Sequence, residues 1–243
     1  MNYKLLIQFD GIRYLGWQKQ NTGVQTVQGK IEAVLEKLFN EEIQVIGCSR
    51  TDAGVHAITY TANFKAKDIE IEKIDKYLKQ FLPEDIVIKK IEKTNDRFHA
   101  RYNAKSKSYR YKIDNSSYGD VFQKKYAWHI KEELDVQKMI EVSKFLIGTH
   151  DFKAFTNKSK NKNTVRTIND ISIEKENHNI VIKVTGESFL LNMVRIIVGT
   201  LVEFGIDSSK KSEDILNILE SGDRNLAGER AVAKGLYLLE TNY

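Results

Sequence analysis

The chain has 243 residues, enough for one large domain or two smaller ones, and its 41% apolar content supports a real core. Lys and Arg number 38 against 33 Asp and Glu, a formal charge of +5 that permits a nucleic-acid partner without demanding one. One cysteine, Cys48, excludes an internal disulfide and a multi-thiolate metal site. The five histidines form no pair at helical metal-binding spacing, and the isolated turn glycines Gly11 and Gly23 make no phosphate loop, which argues against an ATP- or dinucleotide-dependent enzyme.

In chain order, residues 3–9 read as a strand closed by Asp10-Gly11, followed by a loop in which Tyr14 and Trp17 look exposed. Thr26 is placed to cap a helix that buries Val27, Ile31, Val34, Leu35 and Leu38 on one face. Residues 43–47 form a second strand. Ile58, Tyr60, Ala62 and Phe64 alternate with Thr59, Thr61 and Asn63, which predicts a half-buried third. The helical period returns over 69–81 and stops at Pro83, the single proline; residues 86–91 are a strand again. Strand, helix, strand, strand, helix, strand is the order of a split β-α-β module.

The second half repeats the theme less cleanly. Strands are expected at 109–113, 167–174 and 180–185, with a short partner near 126–130 and a last strand at 235–240. Val136, Met139, Ile140 and Leu146 mark a helix ending at Gly148; residues 189–204 make the most apolar helix, and Ser212 caps a shorter one through Leu219. The run 158–163 reads as a basic, polar loop. The expected class is α+β: two split β-α-β (ferredoxin-like) modules with antiparallel sheets, divided near 100–108 into residues 1–104 and 105–243. With no secretory signal and no uninterrupted apolar run of membrane-spanning length, a cytoplasmic soluble protein is expected.

Chemistry concentrates in residues 48–57, where Asp52 stands between Arg50 and Gly54 just after an apolar strand. A strand-to-turn connection alone would also favour Asp and Gly; the functional reading makes Asp52 a nucleophile or base. Arg195 is the one charge in a deeply apolar helix. Buried, it needs an acidic partner, either Asp52 or Glu203; otherwise it snorkels to the surface. Pairing with Arg195 would keep Asp52 ionised. Tyr109 and Tyr111 share one strand face, with Arg110 and Lys112 on the other. Rings beside cations suit unpaired bases and phosphates, although strand tyrosines also pack against cross-strand neighbours. Further basic positions are Arg13 and Lys19 around Trp17, Arg97 and Arg101 around Phe98-His99, and Lys158, Lys160, Lys162 and Arg166.

Taken together, these blocks resemble the TruA family of bacterial tRNA pseudouridine synthases. The resemblance rests on Phe9-Asp10-Gly11 with Tyr14 and Gly16-Trp17-Gln18, on Thr26-Val27-Gln28-Gly29, and on Arg50-Thr51-Asp52-Ala53-Gly54-Val55-His56-Ala57. Leu82-Pro83-Glu84-Asp85-Ile86, Phe98-His99-Ala100-Arg101, Tyr109-Arg110-Tyr111, Met193-Val194-Arg195-Ile196-Ile197-Val198-Gly199 and Gly235-Leu236-Tyr237-Leu238 also fit. It implies two domains flanking a central cleft, a homodimer working without metal or cofactor, and conversion of uridine to pseudouridine at positions 38, 39 and 40 of the tRNA anticodon stem-loop. It makes Asp52 the catalytic aspartate, Tyr109 the ring that stacks on the target uracil, Arg195 the partner of that aspartate and Arg50 a residue that opens the stem. His56, Trp17, Arg101, Lys158 and Lys160 are the further expected RNA contacts. The family pattern is not followed at Ser49, Tyr60 and Gln80, nor at Asn225-Leu226-Ala227-Gly228, which lacks a usual proline. Alternatives are a synthase with another RNA target set, a non-catalytic RNA-binding protein, and a carboxylate-dependent hydrolase, for which no second carboxylate stands out.

Overall fold

The computed structural model describes all residues except 22 and 158–162. The chain forms two compact units, Met1–Lys105 with Tyr237–Tyr243, and Ser106–Leu236. The sequence division assigned everything after 104 to the second unit; the last strand instead belongs to the first.

In the first unit, β1 (Asn2–Phe9), α1 (Val27–Phe39), β2 (Val45–Gly47), β3 (His56–Lys65), α2 (Ile71–Phe81) and β4 (Ile86–Thr94) follow in the expected order. Strand β1 lies between β3 and β4, antiparallel to both, and β2 is antiparallel to β3. Alternate residues of β1 (Tyr3, Leu5, Ile7, Phe9) are at most 3% exposed and build the core with Phe64, Ile31, Leu35, Ile74 and Leu78. Each such side chain contributes about 1.5–3 kcal/mol by leaving water. Helix α1 packs on α2 and β2, and α2 on β4. The Thr26 hydroxyl accepts the Gly29 N–H at 3.2 Å, the expected N-cap.

Several local expectations are corrected. Val34 and Leu38 are half-buried, while Gln28 and Glu32 are the buried polar residues of α1. In β3 both faces are covered, because Asn63 bonds Asn2 and the Ala100 N–H and so closes the side expected to face water. The unit is completed by the C-terminal strand described below.

In the second unit, β5 (Ser106–Asp114) pairs with β6 (Trp128–His129), and α3 (Val136–Lys144) leads to β7 (Gly148–Asp151). The strands β8 (Val165–Glu176) and β9 (Asn179–Gly186) form a hairpin turned at Asn177, whose φ is 53°. The sheet order is β5-β9-β8-β7, antiparallel throughout. Strand β7, four residues of mostly polar sequence, has no period that sequence reasoning could detect. Helix α4 (Met193–Ile206) is apolar nearly all round and packs on α3. It starts four residues later than expected because Asn192 adopts φ 63° and breaks the run from Phe189. Helix α5 (Asp214–Ser221) is not capped by Ser212, whose hydroxyl donates to Glu141 instead. Strand β10 (Leu236–Asn242) then returns to the first unit and lies parallel to β3. Since β6 is also parallel to β5, neither unit's strands pair purely antiparallel.

Candidate active site

Asp52 sits half-buried in the connection from β2 to β3. Backbone bonds hold that connection against the loop after β1: Trp17 N–H donates to the Thr51 carbonyl at 3.2 Å and Gly54 N–H to the Tyr14 carbonyl at 3.3 Å, while within the connection Val55 N–H donates to the Asp52 carbonyl at 3.2 Å. The approach is possible only because residue 16 is glycine. Its φ is +87°, and a Cβ there would stand 2.4 Å from the Thr51 oxygen. Beneath, Trp17 and Tyr60 stack at 4.1 Å, and the Tyr60 hydroxyl donates to the Ser49 carbonyl.

A buried polar clamp holds the same two segments from the helix side. Gln28 Oε1 accepts from Lys19 N and Gln18 Nε2, both at 2.8 Å, and Gln28 Nε2 donates to Glu32 Oε1 at 2.8 Å and to the Val45 carbonyl at 3.1 Å. Glu32 Oε1 also accepts the Val45 N–H at 2.9 Å, and its other oxygen meets Lys19 Nζ at 3.0 Å. Loop, helix and strand β2 are thereby tied together on either side of the turn that carries Asp52.

Asp85 and His56 also anchor the loop. Tyr14 donates to Asp85 at 2.6 Å and Arg13 pairs with the same carboxylate at 2.6 Å. Burial, with that carboxylate adding to it, pushes the Tyr14 phenol well above its ordinary value. His56 is 2% exposed; its Nδ1 accepts the Gly11 N–H at 3.2 Å and lies 3.0 Å from Asp10, and its ring stacks on Tyr237 at 4.6 Å.

In the second unit, Tyr109 is 6% exposed, opposite Val184 in the sheet, with Phe189 edge-on at 5.2 Å. Tyr111 is fully buried and donates to the Val232 carbonyl at 2.7 Å; burial raises its phenol, opposed in part by the Arg195 charge. Arg195 does not snorkel. It is 7% exposed, and its Nε donates to the Ala231 carbonyl at 2.7 Å while the Ala231 N–H donates to the Arg195 carbonyl at 3.1 Å. Glu203, one partner considered for it, is instead paired with Lys210. The irregular segment of residues 228–231 reaches α4 because Gly199 has no side chain: a Cβ there would meet the Glu229 oxygen at 1.7 Å. Thr200 Oγ1 accepts the Gly228 N–H at 2.9 Å and fixes the register.

Residues 5–103 and 142–243 match the family model described as tRNA pseudouridine synthase. The chain belongs to that family. It is 48% identical over 239 residues to tRNA pseudouridine synthase A 2 of Bacillus cereus, covering 98% of this chain and 97% of that protein. Against tRNA pseudouridine synthase A 2 of Clostridium tetani the identity is 51% over 245 residues, covering 100% and 98%; against synthase A 1 of that organism it is 50% over 244 residues, covering 100% and 99%. The enzyme thus isomerises uridine to pseudouridine in tRNA.

Of the synthase residues singled out in the sequence, Asp52, Arg50, His56, Trp17 and Arg101 lie in the first unit and Tyr109 and Arg195 in the second. Arg50 and Arg101 are exposed. Trp17 corrects its expected exposure. It is 2% exposed because its indole fills the space beneath the Asp52 turn, and Tyr14 is equally buried against Asp85. Lys158 and Lys160 lie outside the described residues. Sequence reasoning missed Gln28, Glu32 and Thr200, whose polar side chains sit where an amphipathic pattern leads one to expect either surface or hydrophobe.

Proposed function

We propose that the synthase acts on uridines 38, 39 and 40 of the anticodon stem-loop, with Asp52 as nucleophile, Tyr109 as the ring on the target uracil and Arg195 as the cationic partner of Asp52. The observation that carries the proposal is the turn of residues 50–54, where backbone bonds and a close glycine approach hold the carboxylate half-buried on a rigid base. A preorganised nucleophile needs no reorganisation at the moment of attack.

The target base must leave its stack, at a cost of a few kcal/mol that phosphate contacts and ring stacking offset. The Asp52 carboxylate then adds to C6 of the uracil or supports loss of the base from C1′. In either route the N1–C1′ bond breaks, the retained base turns, C5 bonds to C1′, and the C5 proton is lost while N1 gains one; where Asp52 has added to C6, loss of the C5 proton also expels the carboxylate and restores the C5–C6 double bond. The substrate and product are isomers, so the balance closes without an oxidant or reductant. Arg50 and Arg101 would meet phosphate, along with Lys158 and Lys160. Trp17 and His56, both buried, would act from beneath by holding the loops that line the RNA path.

Two split β-α-β modules flanking a cleft, assembled as a homodimer in the cytoplasm, complete this reading. The β4-β1-β3-β2 arrangement of the first unit supports the module assignment. Among the described residues no helix is long and apolar enough to cross a membrane.

The test is tritium release from an unmodified tRNA transcript labelled at uracil C5. Wild type releases label from positions 38–40; Asp52→Asn binds the transcript normally and releases none. Near-normal release by Asp52→Asn would remove the nucleophile assignment, and release mapped to other positions would replace the target set.

A further inference from the structure

Tyr102 is 76% exposed, yet it stands on one of the most firmly anchored turns of the first unit. The Asn2 side chain donates to the Asn95 and Phe98 carbonyls at 2.9 and 3.0 Å. The Ala100 N–H donates to buried Asn63 at 2.8 Å, and the Tyr243 hydroxyl donates to the Ala100 carbonyl at 2.7 Å. His99 is locked in turn. Its N–H donates to Asn103 Oδ1 at 2.7 Å, and its Nδ1 accepts the N–H groups of Arg101 and Tyr102, each at 3.2 Å. Because Nδ1 accepts, the neutral ring carries its proton on Nε2.

On this base the Tyr102 ring stacks on the His99 imidazole at 4.1 Å with 29° between the planes, and the Arg101 guanidinium lies 5.9 Å from the Tyr102 centroid. Charges in the same turn are Arg97, Arg101 and Lys105 against Asp96, a positive excess. A lone exposed aromatic needs no explanation. An exposed aromatic already stacked, on a turn pinned to the core and set among cations, has the composition of a base platform: a ring face for the nucleobase and charge for its phosphates. The stack matters, since a ring already held against another has less freedom to lose when a base settles on it.

We propose that Tyr102, backed by His99, is a stacking site for an unpaired base of the tRNA substrate, serving affinity and not the chemical step. The proposal rests on the tRNA substrate and not on which residue is the nucleophile, because binding is measured without turnover.

The test compares Tyr102→Ala, Tyr102→Phe, Tyr102→Trp and Arg101→Gln for binding to an unmodified tRNA transcript across a salt series. Tyr102→Ala raises Kd roughly 5- to 100-fold, the range that loss of one stacked base gives. Tyr102→Phe and Tyr102→Trp stay within about threefold, because both keep a π face. In Tyr102→Ala the slope of log Kd against log salt is unchanged, whereas Arg101→Gln lowers it by about one. The thermal midpoint of Tyr102→Ala matches wild type, since the side chain is solvent-exposed. In turnover, KM rises and kcat holds. Wild-type affinity in Tyr102→Ala overturns the proposal, as does a Tyr102→Phe defect as large as that of Tyr102→Ala, which would assign the effect to the hydroxyl.

Discussion

Replacing Glu32 by alanine tests whether the clamp under the Asp52 turn holds the first unit together. The carboxylate is 2% exposed and accepts the Val45 N–H at 2.9 Å and Gln28 Nε2 at 2.8 Å. Removal leaves the Val45 N–H without its acceptor, and Gln28 keeps only its bond to the Val45 carbonyl on that side. Each buried donor deprived of its partner costs about 1–3 kcal/mol, and alanine returns a few tenths through helix propensity. The sum is roughly 2–5 kcal/mol. At about 2–4 °C per kcal/mol for a chain of this size, the first unit should melt some 5–20 °C lower. The outer ion pair is a separate matter. Lys19 is 49% exposed at its side chain, so Lys19→Met should cost no more than about 1 kcal/mol. Differential scanning calorimetry and urea titration on both variants decide between them, with amide exchange at Val45 as the local readout. A Glu32→Ala cost no larger than that of Lys19→Met would show that the inner hydrogen bonds contribute nothing net, and the clamp argument would fall.

Gly16→Ala forces a methyl to within 2.4 Å of the Thr51 carbonyl at positive φ, so the Asp52 turn must move; kcat should fall at least tenfold with tRNA affinity nearly kept, and unchanged kcat would show that the turn tolerates displacement. Alkaline stability follows from the buried phenols. The Tyr14 and Tyr111 pKa values are raised in the folded state, so their contribution is complete below the unfolded value near 10 and is lost as pH rises above it. Stability should decline there by about 1.4 kcal/mol per pH unit for each ring, and Tyr111→Phe should flatten the slope by one such increment; an unaltered slope would contradict the burial argument. On the acid side, burial raises Asp114, but bonds from the Ser116 hydroxyl and the Asp120 and Ser116 N–H groups outweigh it and leave the carboxyl below its usual range. That stability is present above about pH 4 and fades as pH falls through the lowered value, so Asp114→Asn should weaken the protein at pH 7 and narrow its difference from wild type under acid titration.

The strand-helix order of the first unit was legible because its core residues obey the periods that pleat and helix impose: Tyr3, Leu5, Ile7 and Phe9 at spacing two, Ile31, Leu35 and Phe39 at spacing four. Pattern fails where polar groups are buried in pairs. Glu32 and Gln28 occupy the inner face of α1 because they satisfy each other and Val45, a fact visible only when all three are in place. It fails again at Asn192, whose left-handed backbone cuts an apolar run that periodicity would continue. Asp52 stood out by residue type and setting, and Arg195 by being a lone charge among hydrophobes. What sequence did not offer was their scaffolding: Gly16 and Gly199 matter for the atoms they lack, and a missing Cβ has no signature until the facing carbonyl is known.

The first unit begins at Met1 but is closed by a strand translated some hundred and thirty residues after the unit's main segment ends at Lys105. Tyr237 supplies the ring under His56, Asn242 the carbonyl for Lys105 N–H, and Tyr243 the hydroxyl that ties down the Ala100 turn. The segment that bears Asp52 is therefore synthesised before the strand that pairs with β3 and the ring that stacks on His56. Without that strand the unit lacks the ring on His56 and the hydroxyl on the Ala100 turn. Completion of the first unit is thus coupled to synthesis of the second, which lies between its two segments.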